Sequence, residues 1–179
     1  AIDRKSALSD FDKLTLQVIK TKLEFIAKHP FEKQNFLYEN RMMNHGDYHA
    51  GNMVFGPDNK ILAVLDFEFC TDMPRIWDIA WALTWLCRER CTEAFSGMAN
   101  LERMALFMRQ YNQAYSLSLS EKTSLVEMCI SASYHTTYLL EHFYIQGSGY
   151  SELEQCQSLD EWFWWLNNQN IISEVLLSN

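Results

Sequence analysis

One stretch in the first half of the chain concentrates side chains that can carry chemistry. It reads His45-Gly46-Asp47-Tyr48-His49-Ala50-Gly51-Asn52, and a later segment reads Leu65-Asp66-Phe67-Glu68. The two glycines of the first segment favour a loop over a strand. Asp47 stands five residues before Asn52, and Asp66 ends an apolar run that begins at Ile61. The spacing predicts that two carboxylates and a carboxamide meet where a small hairpin ends.

The sequence around this stretch predicts that hairpin. The turn signal Gly56-Pro57-Asp58-Asn59 separates the apolar runs 53–55 and 61–65, which are short enough for strands. The turn folds the second strand back beside the first. Three methionines flank the loop and are expected to pack against it: Met42, Met43 and Met53.

The rest of the chain shows mainly helical periodicity. Apolar spacing predicts helices over about 11–28, 76–88, 100–115 and 120–145, and residues 30–40 have no clear period and are expected to form a loop. Capping boxes at Ser9–Asp12 and Ser158–Glu161 mark two helix starts. The predicted fold is therefore mainly α with a small embedded β-hairpin.

Composition limits the class of protein. The 179 residues are 48% hydrophobic, which is enough for one core, so 1–179 is expected to form a single domain. The net charge of −8 argues against a nucleic-acid binder and is compatible with a cationic substrate. Five scattered cysteines are typical of reduced thiols in a cytoplasmic protein, and no segment is apolar over a membrane-spanning length.

The residues of the opening stretch match the needs of phosphoryl transfer. That reaction requires a carboxylate that receives the proton of the attacking hydroxyl and oxygen ligands that hold Mg²⁺ against the phosphates. Asp47, Asn52 and Asp66 have the right order and chemistry for these tasks. We therefore expect an enzyme that transfers a phosphoryl group.

The pattern H-x-D-x-x-x-x-N followed by D-F-x resembles the catalytic loop of the protein kinase fold. Protein kinases have Arg where this chain has Gly46, and Gly where it has Glu68. These two differences, with the run Pro74-Arg75-Ile76-Trp77-Asp78-Ile79-Ala80, make the chain similar to the aminoglycoside phosphotransferase and choline kinase family. The resemblance implies the C-terminal lobe of a protein-kinase-like (α+β) fold and a small-molecule kinase. Its substrate would be an amino-alcohol, a sugar or an aminoglycoside-like compound.

The resemblance also implies roles for individual residues. Asp47 would be the catalytic base, with His45 as a structural member of its loop. Asn52 and Asp66 would bind the Mg²⁺ of ATP, and Asp78 would be a buried carboxylate that bonds the loop backbone. Three further residues are candidates for the substrate pocket: His49, Glu68 and His142.

The family's nucleotide site also needs an N-terminal lobe with a phosphate-covering loop and a lysine. No G-x-G-x-x-G or G-x-x-x-x-G-K pattern occurs among the six glycines of this sequence. We therefore expect the chain to be the catalytic and substrate-binding lobe, with its N-terminal lobe in cis as the missing partner. The chain by itself is expected to be inactive.

Two other functions are compatible with the sequence. His45, Asp47 and His49 could instead be the ligands of a metal-dependent hydrolase, for which zinc or iron would be suitable. A non-catalytic binding module on a kinase fold would explain the missing phosphate loop.

Overall fold

Helices form most of the described structure. The computed structural model describes residues 2–28, 36, 40–88, 100–134, 138–147 and 163–179. Its helices are α1 (Asp10–Lys28), α2 (Ile76–Leu86), α3 (Leu101–Ala114), α4 (Leu119–Tyr134), α5 (Tyr138–Glu141) and α6 (Gln169–Ser178). Residues 163–167 are also helical, and the π-helical turn His142–Gln146 follows α5. No helix in the described ranges is long and apolar enough to cross a membrane.

Four short strands form two antiparallel pairs. They are β1 (Arg41–Asn44), β2 (Met53–Phe55), β3 (Ile61–Val64) and β4 (Thr71–Pro74). β2 pairs with β3, with Met53 opposite Val64, and this is the hairpin that the sequence predicted. β1 pairs with β4, with Arg41 opposite Pro74 and Asn44 opposite Thr71. The segment 45–52 leaves β1 and enters β2, and we call it the 45–52 loop.

The second strand pair was not predicted. The sequence Thr71-Asp72-Met73-Pro74 has no run of β-branched or aromatic residues, so it gives little strand signal. Its pairing partners lie 27 to 33 residues earlier in the chain, where only the tertiary fold could bring them. The mainly helical fold class is otherwise confirmed.

The predicted helices are present with small changes in extent. Ser9 caps α1 reciprocally with Asp12, because each backbone N–H bonds the other side chain at 2.8 and 3.1 Å. The single helix predicted over 120–145 is divided instead into α4, α5 and the π-helical turn. The capping box Ser158–Glu161 and most of the predicted loop 30–40 lie outside the described residues.

The main core is built from the later helices. α2 packs on α4, and α6 packs on α3 and α4. The core residues include Ile76, Leu83, Met108, Met128, Trp165 and Ile172, which are at most 3% exposed. A smaller cluster joins Val18 of α1 to Leu140 of α5. The strands contribute no residue to these two clusters. Of the three methionines expected to pack against the 45–52 loop, Met53 is buried. Met42 and Met43 are exposed, so the expectation was wrong for these two.

Candidate active site

The first turn of α2 anchors the start of the 45–52 loop. The carboxylate of Asp78 accepts hydrogen bonds from the backbone N–H of His45 at 2.6 Å and of Gly46 at 2.9 Å. This is the contact that the resemblance implied for Asp78, although the side chain is half-buried rather than fully buried. Burial, together with the negative charge of Asp78, raises the pKa of Tyr48. The loop is therefore held to a helix that the core itself fixes.

Gly46 allows the loop to approach the segment after β3. Its φ of +85° lies in the region that glycine tolerates best. A Cβ at this position would be 2.3 Å from the carbonyl oxygen of Phe69. No side chain fits there, so the glycine is required by close backbone contact.

His45 connects the loop to the end of β3. Its ring is buried, and Nε2 lies 2.8 Å from the carbonyl oxygen of Leu65. The backbone N–H of Asp47 donates to Nδ1 at 3.3 Å. These two bonds are satisfied together by a neutral ring that carries its proton on Nε2, a tautomer assigned from its partners. His45 thus orients Asp47 and places the residue after Leu65.

The carboxylate of Asp47 is held at both oxygens. Trp81 donates its Nε1–H to Oδ1 at 3.1 Å, and Asn52 donates from Nδ2 to Oδ2 at 3.1 Å. Nε2 of His49 lies 3.3 Å from the same Oδ2. The Asp47 side chain nevertheless remains 25% exposed. A fixed carboxylate that solvent can still reach is suited to accept a proton from a bound hydroxyl group.

Asn52 supplies an oxygen next to this carboxylate, and Asp66 directly follows a residue that bonds the Asn52 backbone. Asn52 uses its amide nitrogen for Asp47, including a 2.9 Å bond to the backbone oxygen, so its carboxamide oxygen is the atom available for a ligand. The backbone N–H of Leu65 donates to the Asn52 carbonyl at 2.8 Å, and this bond holds the segment that carries Asp66 beside Asn52. Asp66 is exposed and has a φ of +63°, an uncommon conformation for an aspartate.

These oxygens fit a magnesium ion that is bound mainly through phosphates. Mg²⁺ prefers oxygen ligands and commonly takes one or two from protein side chains, with the others from water and phosphate. In the described part of the chain no three His, Cys, Asp or Glu side chains come together as a complete metal site. The donor set is thus suited to a metal that arrives with a nucleotide rather than to a site built wholly by the protein.

The three predicted pocket residues lie on three separate segments of the described structure. His49 contacts Asp47, as described above. Glu68 is exposed in the turn after Asp66. His142 begins the π-helical turn whose Tyr144 hydroxyl bonds Asp12 of α1. Only His49 therefore appears in the described contacts of the Asp47 carboxylate.

Sequence reasoning missed Trp81. It follows Asp78 by three residues, so both side chains lie on one face of α2. Once Asp78 is assigned to the 45–52 loop, this spacing is a signal that could have identified Trp81. Its ring belongs to a row with Trp77, at 6.3 Å between centroids, and Trp85, at 6.0 Å.

The geometry does not favour the metal-dependent hydrolase. Both ring nitrogens of His45 already bond within the protein, one to Leu65 and one to the backbone of Asp47. Nδ1 of His49 accepts from Gly51 N–H at 3.0 Å, and its Nε2 faces Asp47. The three side chains consequently do not direct free lone pairs to a common point.

Comparison with known proteins gives one family. The sequence profile described as the phosphotransferase enzyme family matches residues 3–118, about two thirds of the chain. No curated protein matches the chain at a significant level. The matched range contains the 45–52 loop, both strand pairs and α2, and therefore every residue around Asp47.

Proposed function

Because the chain belongs to the phosphotransferase enzyme family, we propose that it forms the catalytic part of an ATP-dependent kinase that phosphorylates a small molecule on a hydroxyl group. One observation carries this proposal. The Asp47 carboxylate is oriented by two hydrogen-bond donors, Trp81 and Asn52, and is still partly exposed, while the adjacent Asn52 keeps its carboxamide oxygen available. A base and a phosphate-metal ligand thereby lie side by side.

The proposed reaction uses Asp47 as the proton acceptor. The substrate oxygen attacks the γ-phosphorus of ATP, its O–H proton passes to Asp47, and the bond to the β-phosphate oxygen breaks to leave ADP. Asn52 and Asp66 would hold Mg²⁺, which neutralises charge on the phosphates when bound. His45 and Asp78 hold the loop backbone so that Asp47 needs little movement to react.

We also propose that a nucleotide-binding lobe of the same protein covers the two strand pairs. Large apolar side chains are exposed on these strands and on the segment between β3 and β4. Met43 is 67% exposed, Leu62 68% and Phe67 57%. Several large apolar side chains exposed on one part of the chain commonly mark an interaction site. The phosphate loop and lysine that the 179-residue sequence lacks would belong to that lobe.

The charge of the site favours a substrate that carries a cationic group. Besides Asp66, which would hold Mg²⁺, Glu68 leaves an exposed carboxylate on the segment that follows Leu65, and the chain has a net charge of −8. Such a field attracts cations and repels polyanions such as nucleic acids.

We further propose a cytoplasmic location. The free thiols of Cys70, Cys87 and Cys129 in the described ranges support it.

The experiment is a set of substitutions in the full-length protein that contains this chain, assayed for ATP-dependent phosphorylation of a panel of amino-alcohols, sugars and aminoglycosides. Asp47→Asn should reduce kcat roughly 10²- to 10⁴-fold and leave ATP binding nearly unchanged, because Asp47 meets the hydroxyl group.

Asn52→Ala and Asp66→Ala should raise the Mg²⁺ concentration needed for half-maximal turnover. Asp66→Ala should raise it more strongly, because a full charge is removed.

Asp58→Asn is the matched control. Asp58 lies in the β2–β3 turn, where it pairs with Lys60, so the same substitution there should leave kcat unchanged. Near-normal kcat in Asp47→Asn would contradict the assignment of the base. ATP binding by the wild-type protein with no turnover on any acceptor would favour the non-catalytic binding module.

A further inference from the structure

Trp81 contacts the proposed base Asp47 but has no role in the reaction as proposed above. It stands one turn after Asp78 on α2, whose neighbouring residues Ile79, Ala80 and Leu83 are at most 3% exposed. The helix is therefore fixed by the core. From this fixed helix Asp78 holds the loop backbone, whereas Trp81 donates to the reactive carboxylate at 3.1 Å.

The plane of the Trp81 indole is fixed as well. Its ring stacks on Trp77 with an interplanar angle of 16°, and the Trp85 ring lies 6.0 Å from it between centroids, tilted by 48°. An indole has a single N–H, which only donates a hydrogen bond. The orientation of the ring consequently sets where the N–H points, and Asp47 Oδ1 is the atom at which it points.

We propose that Trp81 is a positioning residue for the phosphoryl transfer proposed above, on which this inference rests: its indole N–H fixes the orientation of the Asp47 carboxylate. With Oδ1 held by Trp81 and Oδ2 by Asn52, the carboxylate cannot rotate freely about χ2. Loss of the N–H leaves Oδ1 unrestrained. A displaced base lowers the rate of proton transfer more than it changes substrate binding.

The first measurement separates kcat from KM in the full-length protein. Trp81→Phe removes the N–H and keeps an aromatic ring in the row, so kcat should fall about tenfold while KM for ATP and for the acceptor stays within about twofold. Trp165→Phe is the matched control outside this row, in the main core. Within the described structure the buried Nε1 of Trp165 has no hydrogen-bond partner, so in the folded variant its removal should leave kcat and KM unchanged.

The second measurement does not depend on turnover. In ¹⁵N-labelled full-length protein, the indole N–H resonance that disappears in Trp81→Phe should move upfield in Asp47→Ala, because that variant removes its acceptor. An active wild-type protein with unchanged kcat in Trp81→Phe, or an indole resonance that does not respond to Asp47→Ala, would overturn the role of Trp81. A wild-type protein without phosphotransferase turnover would instead overturn the proposed function.

Discussion

At the scale of single residues, two glycines with positive φ illustrate different reasons for having no side chain. Gly147 ends the π-helical turn with a φ of +65°, and a Cβ there would meet no atom of the described residues within 4 Å. Gly46 has a φ of +85°, and a Cβ there would also overlap the carbonyl oxygen of Phe69. Gly147 is thus required only by its dihedral angle, whereas Gly46 is required by that angle and by a close backbone contact.

This difference is testable with one pair of substitutions. Gly147→Ala should lower the free energy of unfolding by about 1 to 2 kcal/mol, the cost of a left-handed alanine. Gly46→Ala should cost about 3 kcal/mol or more, because the loop backbone must also move away from Phe69. Urea unfolding of both variants measures the two values. Equal losses would show that the contact at Phe69 does not constrain the loop.

At the scale of secondary structure elements, a buried ion pair joins the end of β4 to α2 and α4. Arg75 lies between β4 and α2 and donates from Nη2 to Oε2 of Glu121 at 2.7 Å. The Glu121 side chain is 0% exposed. Glu121 also accepts from the backbone N–H of Ser118, which makes a capping box for α4. Burial opposes its ionisation, but the hydrogen bonds from Arg75 and Ser118 outweigh that effect and lower the pKa of Glu121 to about 2.

A depressed pKa in the folded state stabilises the protein only while the carboxyl is ionised. The contribution of Glu121 is therefore complete above its ordinary value of 4.5 and is lost as the pH falls from there through about 2. Glu121→Gln should reduce the free energy of unfolding at pH 7 by about 2 to 4 kcal/mol, since Arg75 loses its buried partner.

The measurement is urea unfolding of wild type and variant at a series of pH values. The difference between the two proteins should shrink as the pH is lowered from 4.5 towards 2. Glu24→Gln is the control, because Glu24 is 58% exposed in a 3.9 Å pair on α1 and should change stability by less than about 0.5 kcal/mol. A difference between Glu121→Gln and wild type that is constant with pH would contradict the low pKa of Glu121.

At the scale of the whole molecule, the buried core and the candidate active site are built by different parts of the chain. The core joins α2, α3, α4 and α6, and the strands contribute little to it. The site is formed where the 45–52 loop meets α2. Because the helices bury their apolar residues against one another, we expect the 179-residue chain to fold without a nucleotide-binding lobe.

The same arrangement predicts weak nucleotide binding by these 179 residues alone. Their sequence has no glycine-rich phosphate loop, so ATP would be held mainly through Mg²⁺ at Asn52 and Asp66. Calorimetry with magnesium-ATP should give a Kd weaker than about 1 mM, or less than roughly 4 kcal/mol of binding. A protein that also carries the proposed N-terminal lobe is the comparison and should bind more tightly. Micromolar binding by the 179 residues would mean that no further lobe is needed.

Helices and site spacing were predictable because both depend on neighbours along the chain. The 3.6-residue period identified α1, α2 and α3, and the turn at 56–59 identified the β2–β3 hairpin. The pairing of β1 with β4 was not predictable, since neither strand has a distinctive pattern and their contact is made across 27 to 33 residues. The exposure of Met42 and Met43 was likewise missed, because apolar character alone does not say which side of a strand is covered.

The sequence by itself determined the fold class, the family resemblance and the identity of Asp47, Asn52, Asp66 and Asp78 as candidate site residues. Those conclusions depend on residue type and spacing, which are local. Only the tertiary structure decided which donors meet the Asp47 carboxylate: Trp81 arrives from a helix 34 residues away, and its N–H direction depends on how α2 packs against the core. Side-chain orientation is set by packing, and packing is a property of the folded molecule as a whole.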